Sequence, residues 1–216
     1  MVAEMAHIFL TDAQEILSAR DEEPADYFAM LVTRACAGDA LAFERIMLAT
    51  EQRVVSIAWR MLGNRDDARD AAQEVYLRVF KYLGRFRAGE DFRGWLYRIT
   101  INVCHDFARK RRLTMATQFE ENEFGQEGTV FEASSSGEDP ETLALHAQQL
   151  ALVRRALQTL PVKERAALVL RDLEGFSTEE VARALGSRPV TVRTQVSSAR
   201  AKIKTYCDKL LMKRGG

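Results

Sequence analysis

The sequence contains no apolar run long enough to cross a membrane, because its uninterrupted hydrophobic stretches are only a few residues long. Its N-terminus also lacks a basic region followed by an apolar segment of signal-peptide length. A chain of 216 residues with these properties is expected to be a cytoplasmic protein without stable membrane insertion. It is long enough to bury one good core or to divide into two small domains.

Cysteine and histidine are scarce, with three of each in the whole chain. The cysteines are widely separated and lack CxxC spacing, so we expect reduced thiols. The histidines are too scattered to suggest a metal site. The sequence also lacks a glycine-rich phosphate loop and a recognisable nucleophile constellation. We therefore expect no enzymatic activity, no cofactor and no bound metal.

Positive and negative charges balance overall but alternate along the chain. The net charge is −6 over residues 1–33, +6 over residues 34–112, −8 over residues 113–144 and +8 over residues 145–216. Two basic segments separated by an acidic one indicate two nucleic-acid-facing units joined by a tether. The predicted organisation is an acidic extension (1–33), an N-terminal module (34–112), an acidic linker (113–143) and a C-terminal module (144–211).

The linker has the composition of a flexible tether. Thr117–Thr142 is rich in Glu, Gly and Ser and has no helical apolar period. Its Phe119, Phe124 and Phe131 are either anchors for a partner's groove or incidental apolar residues of a loop. The acidic charge also supports the hypothesis that the linker occupies a basic nucleic-acid channel. In the extension, the stretch AHIFLTDAQEIL is compatible with a short helix, whose role stays open.

The N-terminal module is predicted to be helical throughout. GDALAFERIMLATEQRVVSIAWRMLG and NRDDARDAAQEVYLRVFKYL both carry apolar residues at helical spacing. Gly63 is expected to end the first of these helices, and Asn64 to cap the second. The residues expected to face inward are Phe43, Ile46, Met47, Val54, Ile57, Ala58, Met61, Leu62, Ala68, Ala72, Val75, Val79 and Leu83. On the second helix, Asp70, Gln73, Glu74 and Arg78 are left mostly outside.

A third helix, DFRGWLYRITINVCHDFARKRRL, begins with aromatic residues and ends with a basic run. Phe92, Trp95 and Tyr97 cannot all face inward, because Trp95 and Tyr97 are two positions apart. We therefore expect an exposed aromatic beside the basic run, a combination that stacks unpaired bases and holds their backbone. The alternative is that Arg109–Arg112 is a solvated helix end favoured by the helix dipole.

The C-terminal module ends in a predicted helix-turn-helix. Ser177 and Glu180 fit a capping box, Gly186 supplies the turn, and Pro189 falls in the first turn of the second helix. The second helix has a narrow apolar stripe and a face of small polar and basic residues, which is typical of a DNA-reading unit. A helical hairpin with a solvated polar face has the same pattern. The stripe consists of Val192, Val196, Ala199 and Ile203, and the other face carries Arg193, Thr194, Ser197, Ser198 and Lys204.

Three stretches resemble the extracytoplasmic-function (ECF) sigma factors of bacterial RNA polymerase. They are DDARDAAQEVYLRVFKYLGRFR, FRGWLYRITINVCHDFARKRR and LPVKERAALVLRDLEGFSTEEVARALGSRPVTVRTQVSSARAKI. The resemblance covers roughly Cys36–Arg112 and Glu141–Leu211, in the family's order. It implies an all-α fold with two small helical domains, one similar to sigma domain 2 and one to the helix-turn-helix of sigma domain 4, joined by a flexible acidic linker.

The resemblance also implies a function and its partners. It implies an alternative sigma factor that binds core RNA polymerase, through the β′ clamp helices and the β subunit, and recognises promoter DNA. It further implies control by an anti-sigma factor. The residues at the matching core-binding positions are Asp70, Gln73, Glu74, Leu77 and Arg78.

The promoter-binding positions are carried over in the same way. For the downstream (minus-10) element they are Trp95, Tyr97, Arg98, Asn102, Arg109, Lys110, Arg111 and Arg112. Asn102 matches the residue that helps to hold a flipped base, for which an amide supplies both a donor and an acceptor. For the upstream (minus-35) element the matching positions are Thr178, Arg193, Thr194, Gln195, Ser197, Ser198 and Arg200.

Two features depart from the family pattern. Gln195, Ser197 and Ser198 occupy positions where many relatives have arginine or larger residues, so fewer bidentate guanine contacts are possible here. The acidic extension lies outside the minimal two-domain pattern. The alternative function is a self-sufficient helix-turn-helix regulator whose N-terminal module senses a ligand or forms a dimer, and which binds duplex DNA without polymerase.

Overall fold

The computed structural model describes residues 25–118, apart from residue 88, and residues 151–214. Within these ranges the chain forms helices and short turns without a β-strand, which confirms the all-α fold class. The first four helices are α1 (Ala25–Cys36), α2 (Ala40–Leu62), α3 (Arg65–Tyr82) and α4 (Phe92–Gln118). They are followed by α5 (helical over residues 151–158), α6 (Val162–Leu168), a π-helical turn (Val169–Leu173), α7 (Thr178–Leu185) and α8 (Pro189–Arg214).

Local capping defines the helices of the N-terminal module. The Asp39 carboxylate accepts hydrogen bonds from the backbone N–H groups of Leu41 and Ala42 at the start of α2. Gly63 ends α2 with a left-handed φ of 74°, which a glycine adopts without steric cost. The Asn64 side chain then caps α3, as predicted, by accepting from the backbone of Asp66 and Asp67. Two adjacent residues therefore determine the break between α2 and α3.

The inward faces of α2 and α3 are those predicted from helical spacing. Both helices pack against α4, whose Leu96, Ile101 and Val103 complete the core. The predicted inward residues that are buried are Ile46, Val54, Ile57, Ala58, Met61, Ala68, Ala72, Val75, Val79 and Leu83. The other three, Phe43, Met47 and Leu62, are half-buried and packed against the core.

Helices α1 and α4 both cross boundaries that were drawn from composition. Helix α1 begins at Ala25, and its Phe28, Leu31 and Val32 are buried in the core of the N-terminal module. Helix α4 continues to Gln118, past the start of the acidic linker. The linker phenylalanines and the AHIFLTDAQEIL stretch lie outside the described residues.

The C-terminal module contains the predicted helix-turn-helix. Ser177 and Glu180 form the reciprocal capping box at the start of α7, and Gly186 ends it with a φ of 59°. Pro189 is the first residue of α8, where its missing N–H has no intrahelical acceptor. The predicted stripe faces inward, with Val192, Val196 and Ala199 buried and Ile203 packed against the core.

The two modules are packed against each other, which the sequence did not indicate. The Tyr97 ring of α4 contacts the Phe176 ring of the C-terminal module edge-on, with centroids 5.2 Å apart. The buried Arg165 of α6 donates to the backbone oxygen of Met61 at the end of α2. We call this packing the closed arrangement. In the described ranges, no helix combines the length and apolar character needed to span a membrane.

His105 of α4 is half-buried in surroundings that disfavour its charged form. Its Nε2 is buried without a hydrogen-bond partner among the described residues. Burial lowers the pKa of His105, Asp106 opposes this shift, and Lys163 and Arg165 of the C-terminal module add to it. The folded state therefore favours the neutral imidazole, so the unfolded chain binds more protons as the pH falls through about 6.5.

We predict that acidification destabilises the protein partly through His105. The free energy of unfolding is expected to fall between about pH 7 and pH 5 more steeply in the unaltered chain than in His105→Gln. Urea titrations followed by circular dichroism at several pH values measure this difference. His7 and His146 are present in both proteins and cancel in the comparison. Parallel pH profiles for the two proteins would show that His105 titrates as in the unfolded chain.

Candidate polymerase and promoter interfaces

The outer face of α3 combines carboxylates with exposed apolar side chains. Asp70 and Gln73 are exposed, as predicted, and Leu77 exposes 66% of its surface. Phe80, one turn further along, exposes 64%, although its ring also contacts Phe43 with centroids 5.3 Å apart. An isolated soluble domain rarely leaves neighbouring large apolar residues open, so this face has the composition of a protein-binding surface.

Glu74 and Arg78 are held in an ion-pair network at one edge of this face. Arg78 donates from Nε to Glu74 at 2.7 Å and from Nη1 to Asp106 of α4 at 2.9 Å. These hydrogen bonds raise the pKa of the Arg78 guanidinium. The network fixes the side chains before a partner arrives, and it leaves Asp70 as the carboxylate that projects independently of Arg78.

Sequence reasoning missed the apolar extension of the α3 face. Phe80 lies three positions after Leu77, the spacing that puts two side chains on one helical face. Leu41 and Leu48 of α2 are also strongly exposed, and they lie seven positions apart on one side of that helix. In each case the sequence contained an indication, namely a large apolar residue at a position that helical spacing places away from the core.

Helix α4 brings together only part of the set predicted to bind the minus-10 element. Arg98, Asn102 and Arg109 are exposed at spacings of four and seven residues, which places them along one side of the helix. Lys110 is also exposed, whereas Arg111 is half-buried and pairs with Asp67 of α3 at 3.2 Å. Arg112 is helical, but its side chain lies outside the described residues.

The expectation of an exposed aromatic on α4 is wrong in the closed arrangement. Tyr97 exposes 1% of its surface because Phe176 of the C-terminal module covers it. Phe92 is buried, and Trp95 is half-buried against Phe86 and Phe92, with ring centroids 5.1 and 5.5 Å away. The partner of Tyr97 belongs to the other module, and spacing within α4 does not indicate such a contact.

The outer face of α8 carries the small polar surface predicted to read DNA. Arg193, Thr194 and Ser197 are exposed, and with Ser198 and Ala201 they line a shallow open groove. Thr178 and Gln195 are half-buried, and the Gln195 Oε1 has no hydrogen-bond partner among the described residues. The groove therefore offers one guanidinium and several hydroxyls to a ligand.

Arg193 and Arg200 have different surroundings. Arg193 Nη2 lies 3.6 Å from the Glu179 carboxylate of α7, an exposed pair that contributes little to stability. Arg200 donates two hydrogen bonds, at 2.7 and 2.8 Å, to Asp172 of the π-helical turn. The Asp172 side chain is only 4% exposed, and these hydrogen bonds raise the pKa of Arg200. The Arg200 guanidinium thus ties α8 to its own module.

Models of two protein families match the chain. Residues 46–114 match Sigma-70 region 2, and residues 150–203 match Sigma-70, region 4. The first range falls on α2 to α4, and the second on α5 to α8. The two matches follow the order expected from the sequence.

Relatives of established identity cover most of the chain. The RNA polymerase sigma-H factor of Pseudomonas aeruginosa is 34% identical over 183 residues, which cover 84% of this chain and 94% of that protein. The ECF RNA polymerase sigma factor SigE of Mycolicibacterium smegmatis is 32% identical over 191 residues, covering 87% and 71%. The ECF RNA polymerase sigma-E factor of Escherichia coli is 30% identical over 186 residues, covering 84% and 95%.

Solved structures share the fold. CnrH, in a complex with the cytosolic domain of CnrY, has a TM-score of 0.61 at 24% identity and covers 84% of this chain and 97% of its own. The sigma factor RpoE of Bartonella quintana, in a complex with the anti-sigma factor NepR, has a TM-score of 0.62 at 21% identity and covers 77% and 96%. Because these three relatives are at least 30% identical and cover 84–87% of the chain, the chain belongs to the ECF family of RNA polymerase sigma factors, which bind core polymerase and direct it to promoters.

Proposed function

We propose that this sigma factor divides initiation among three surfaces. The outer face of α3 binds the clamp helices of the β′ subunit, the exposed side of α4 holds the opened minus-10 strand, and α8 reads the minus-35 element. The observation that carries the proposal is the α3 face, where Asp70 lies near the exposed Leu77 and Phe80. A regulator that dimerises through its N-terminal module would also need an exposed apolar face, and the match of this module to Sigma-70 region 2 favours polymerase as the partner.

The α3 face suits a basic helical partner. Leu77 and Phe80 supply an apolar centre that can be desolvated, and Asp70 supplies charge at its edge. Glu74 and Arg78 are already paired, so they contribute shape and hydrogen bonding more than net charge. We assign the main electrostatic contribution to Asp70.

The exposed side of α4 suits an unpaired strand. Arg98 and Arg109 reach backbone phosphates, while Asn102 between them hydrogen-bonds the edge of an extruded base. Trp95 and Tyr97 supply stacking surfaces, Tyr97 only after the C-terminal module moves away. Lys110 adds a second exposed cation next to Arg109. The family pattern assigns Arg111 and Arg112 to the same interface.

On α8 we assign base reading to Arg193, with Thr194, Gln195, Ser197 and Ser198 as shorter contacts and Thr178 at the phosphate backbone. Arg200 differs from the other predicted minus-35 contacts, because two of its nitrogens already bind Asp172. We therefore propose that Arg200 orients α8 in the groove and does not read a base.

The wider setting follows from the family. RNA polymerase supplies the chemistry of RNA synthesis, so we propose that this chain contributes binding and strand capture without a catalytic residue of its own. We place it in the cytoplasm, where the polymerase works. We also propose an anti-sigma partner, supported by the Bartonella quintana neighbour, which was solved bound to one.

Reversing the charge of Asp70 is expected to weaken binding to the core enzyme. In Asp70→Lys, a carboxylate facing a basic surface becomes a like charge, and the Kd for core polymerase should rise roughly tenfold. Fluorescence titration against purified core enzyme measures this. Glu90→Lys, the same change at an exposed turn position, is the matched control and should bind normally. Equal affinities for the two variants, with helicity retained, would remove Asp70 from the interface.

Asn102→Ala is expected to slow strand opening while leaving core assembly and upstream binding intact. Its ligand exists only after a base has left the stack, so the effect appears late in initiation. Permanganate footprinting of unpaired thymines in reconstituted holoenzyme follows the opening rate. Gln52→Ala removes another exposed amide, on α2, and should open promoters at the parental rate. If Asn102→Ala opens promoters at the parental rate, Asn102 does not hold an extruded base.

Replacing Arg193 and replacing Arg200 are expected to change different properties of the protein. Arg193→Ala should cost holoenzyme about 1–3 kcal/mol of upstream promoter affinity and relax preference at one position. Arg200→Ala should instead lower the thermal stability of the chain, because the buried Asp172 loses its partner. Selection on promoters randomised upstream, together with melting curves, separates the two effects. An unchanged selected sequence in Arg193→Ala would mean that α8 was placed in the groove wrongly.

A further inference from the structure

A carboxylate of the C-terminal module is buried against two arginines of the N-terminal module. Glu174 follows the π-helical turn, and its side chain has no exposed surface. Its Oε2 accepts from Arg53 Nε at 3.0 Å, and its Oε1 accepts from Arg60 Nη1. Both arginines lie on α2, seven positions apart, so they are on the same side of that helix.

Glu174 is a shared acceptor for both guanidiniums in this cluster. Burial lowers the pKa of the Arg60 guanidinium, and Glu174 counteracts that shift. Removing one partner of a buried ion pair is strongly destabilising while the other charge stays buried, so the closed arrangement depends on Glu174 being paired. When the modules separate, α2 is left with two neighbouring guanidiniums whose ligand geometry suits an anion with two oxygens.

The C-terminal module packs over both the arginine pair and Tyr97. Phe176, two residues after Glu174, packs on the Tyr97 ring. At the far end of α7, a side chain at Gly186 would begin 3.7 Å from Arg98 Nη2. The C-terminal module therefore covers Arg53, Arg60 and Tyr97 and abuts Arg98, which is one helical turn from Asn102.

We propose that Arg53 and Arg60 form a phosphate-binding site for the opened promoter strand, and that Glu174 occupies this site while the modules are closed. This inference rests on the proposed role of the α4 surface. Carboxylate and phosphodiester oxygens accept the same charge-assisted hydrogen bonds from guanidinium, so Glu174 stands where a backbone phosphate would bind. Strand capture and separation of the modules are then coupled, because the two anions compete for one site.

The first test removes the charge of Glu174. Glu174→Gln should weaken the closed arrangement, increase the radius of gyration in small-angle X-ray scattering and tighten binding of an oligothymidylate several-fold. Oligothymidylate is the probe because backbone phosphate is its only charged group. Glu51→Gln removes an exposed carboxylate from α2 and is the matched control. An unchanged radius and unchanged oligothymidylate affinity in Glu174→Gln would overturn the competition between Glu174 and phosphate.

The second test asks whether Arg53 binds phosphate or only Glu174. In the Glu174→Gln background the competing carboxylate is already gone, so Arg53→Gln should weaken oligothymidylate binding. It should also reduce the slope of log K against log salt by about 0.7 for each phosphate that the variant no longer binds. Arg45→Gln, an exposed arginine on the same helix, is the control in that background. The phosphate site is wrong if Arg53→Gln and Arg45→Gln behave alike.

A third measurement needs no variant and therefore does not depend on how Glu174→Gln folds. Saturating oligothymidylate should increase deuterium uptake of the unaltered chain over residues 169–176, because binding displaces that segment from α2 and α4. Unchanged uptake there would overturn the competition. The proposed function fails on other measurements, namely core affinity of Asp70→Lys and strand opening by Asn102→Ala, so the two failures are distinguishable.

Discussion

Arg165 and Glu174 are charged residues buried where the C-terminal module meets the N-terminal one, and both depend on protein partners in place of water. Arg165 donates to Met61, to Gln158 and to the backbone oxygen of Leu160, and Glu174 accepts from two arginines of α2. Uncompensated burial of a charge costs several kcal/mol, so the closed arrangement exists only while these partners stay in register. The burial of Tyr97 and the cover over α2 both follow from it.

The two charges respond differently when the modules separate. Arg165 keeps its hydrogen bonds to Gln158 and Leu160, which belong to its own module, and loses the one to Met61. Glu174 loses both arginines at once. Its carboxylate must then be solvated, and Arg53 and Arg60 lose an anion that both of them bind. Whether the modules separate therefore depends on which anion replaces Glu174 at the two arginines and on how water solvates the freed Glu174 carboxylate.

Local features of the fold were predictable from the sequence, whereas contacts between modules were not. The caps at Asn64 and Ser177 and the turn at Gly186 act within a few residues, and helical spacing predicted which faces of α2, α3 and α8 are buried. Tyr97 was misplaced because its partner lies in the other module. Arg200 shows a similar limit within one module, because its pairing with Asp172, 28 positions away, could not be read from the sequence. Helical spacing shows that a side chain points away from its own core, but it does not identify the distant residue that contacts this side chain.

The three proposed surfaces differ in how much of each is exposed in the closed arrangement. The outer faces of α3 and α8 are exposed in it, while the α4 surface is partly covered. A ligand shifts a conformational equilibrium only through a difference in its affinity for the two states. A partner that touches α3 or α8 alone therefore leaves the modules closed, however tightly it binds. Opening requires a ligand for the covered surface, such as the unpaired strand, or a partner that binds both modules at a separation the closed arrangement does not allow.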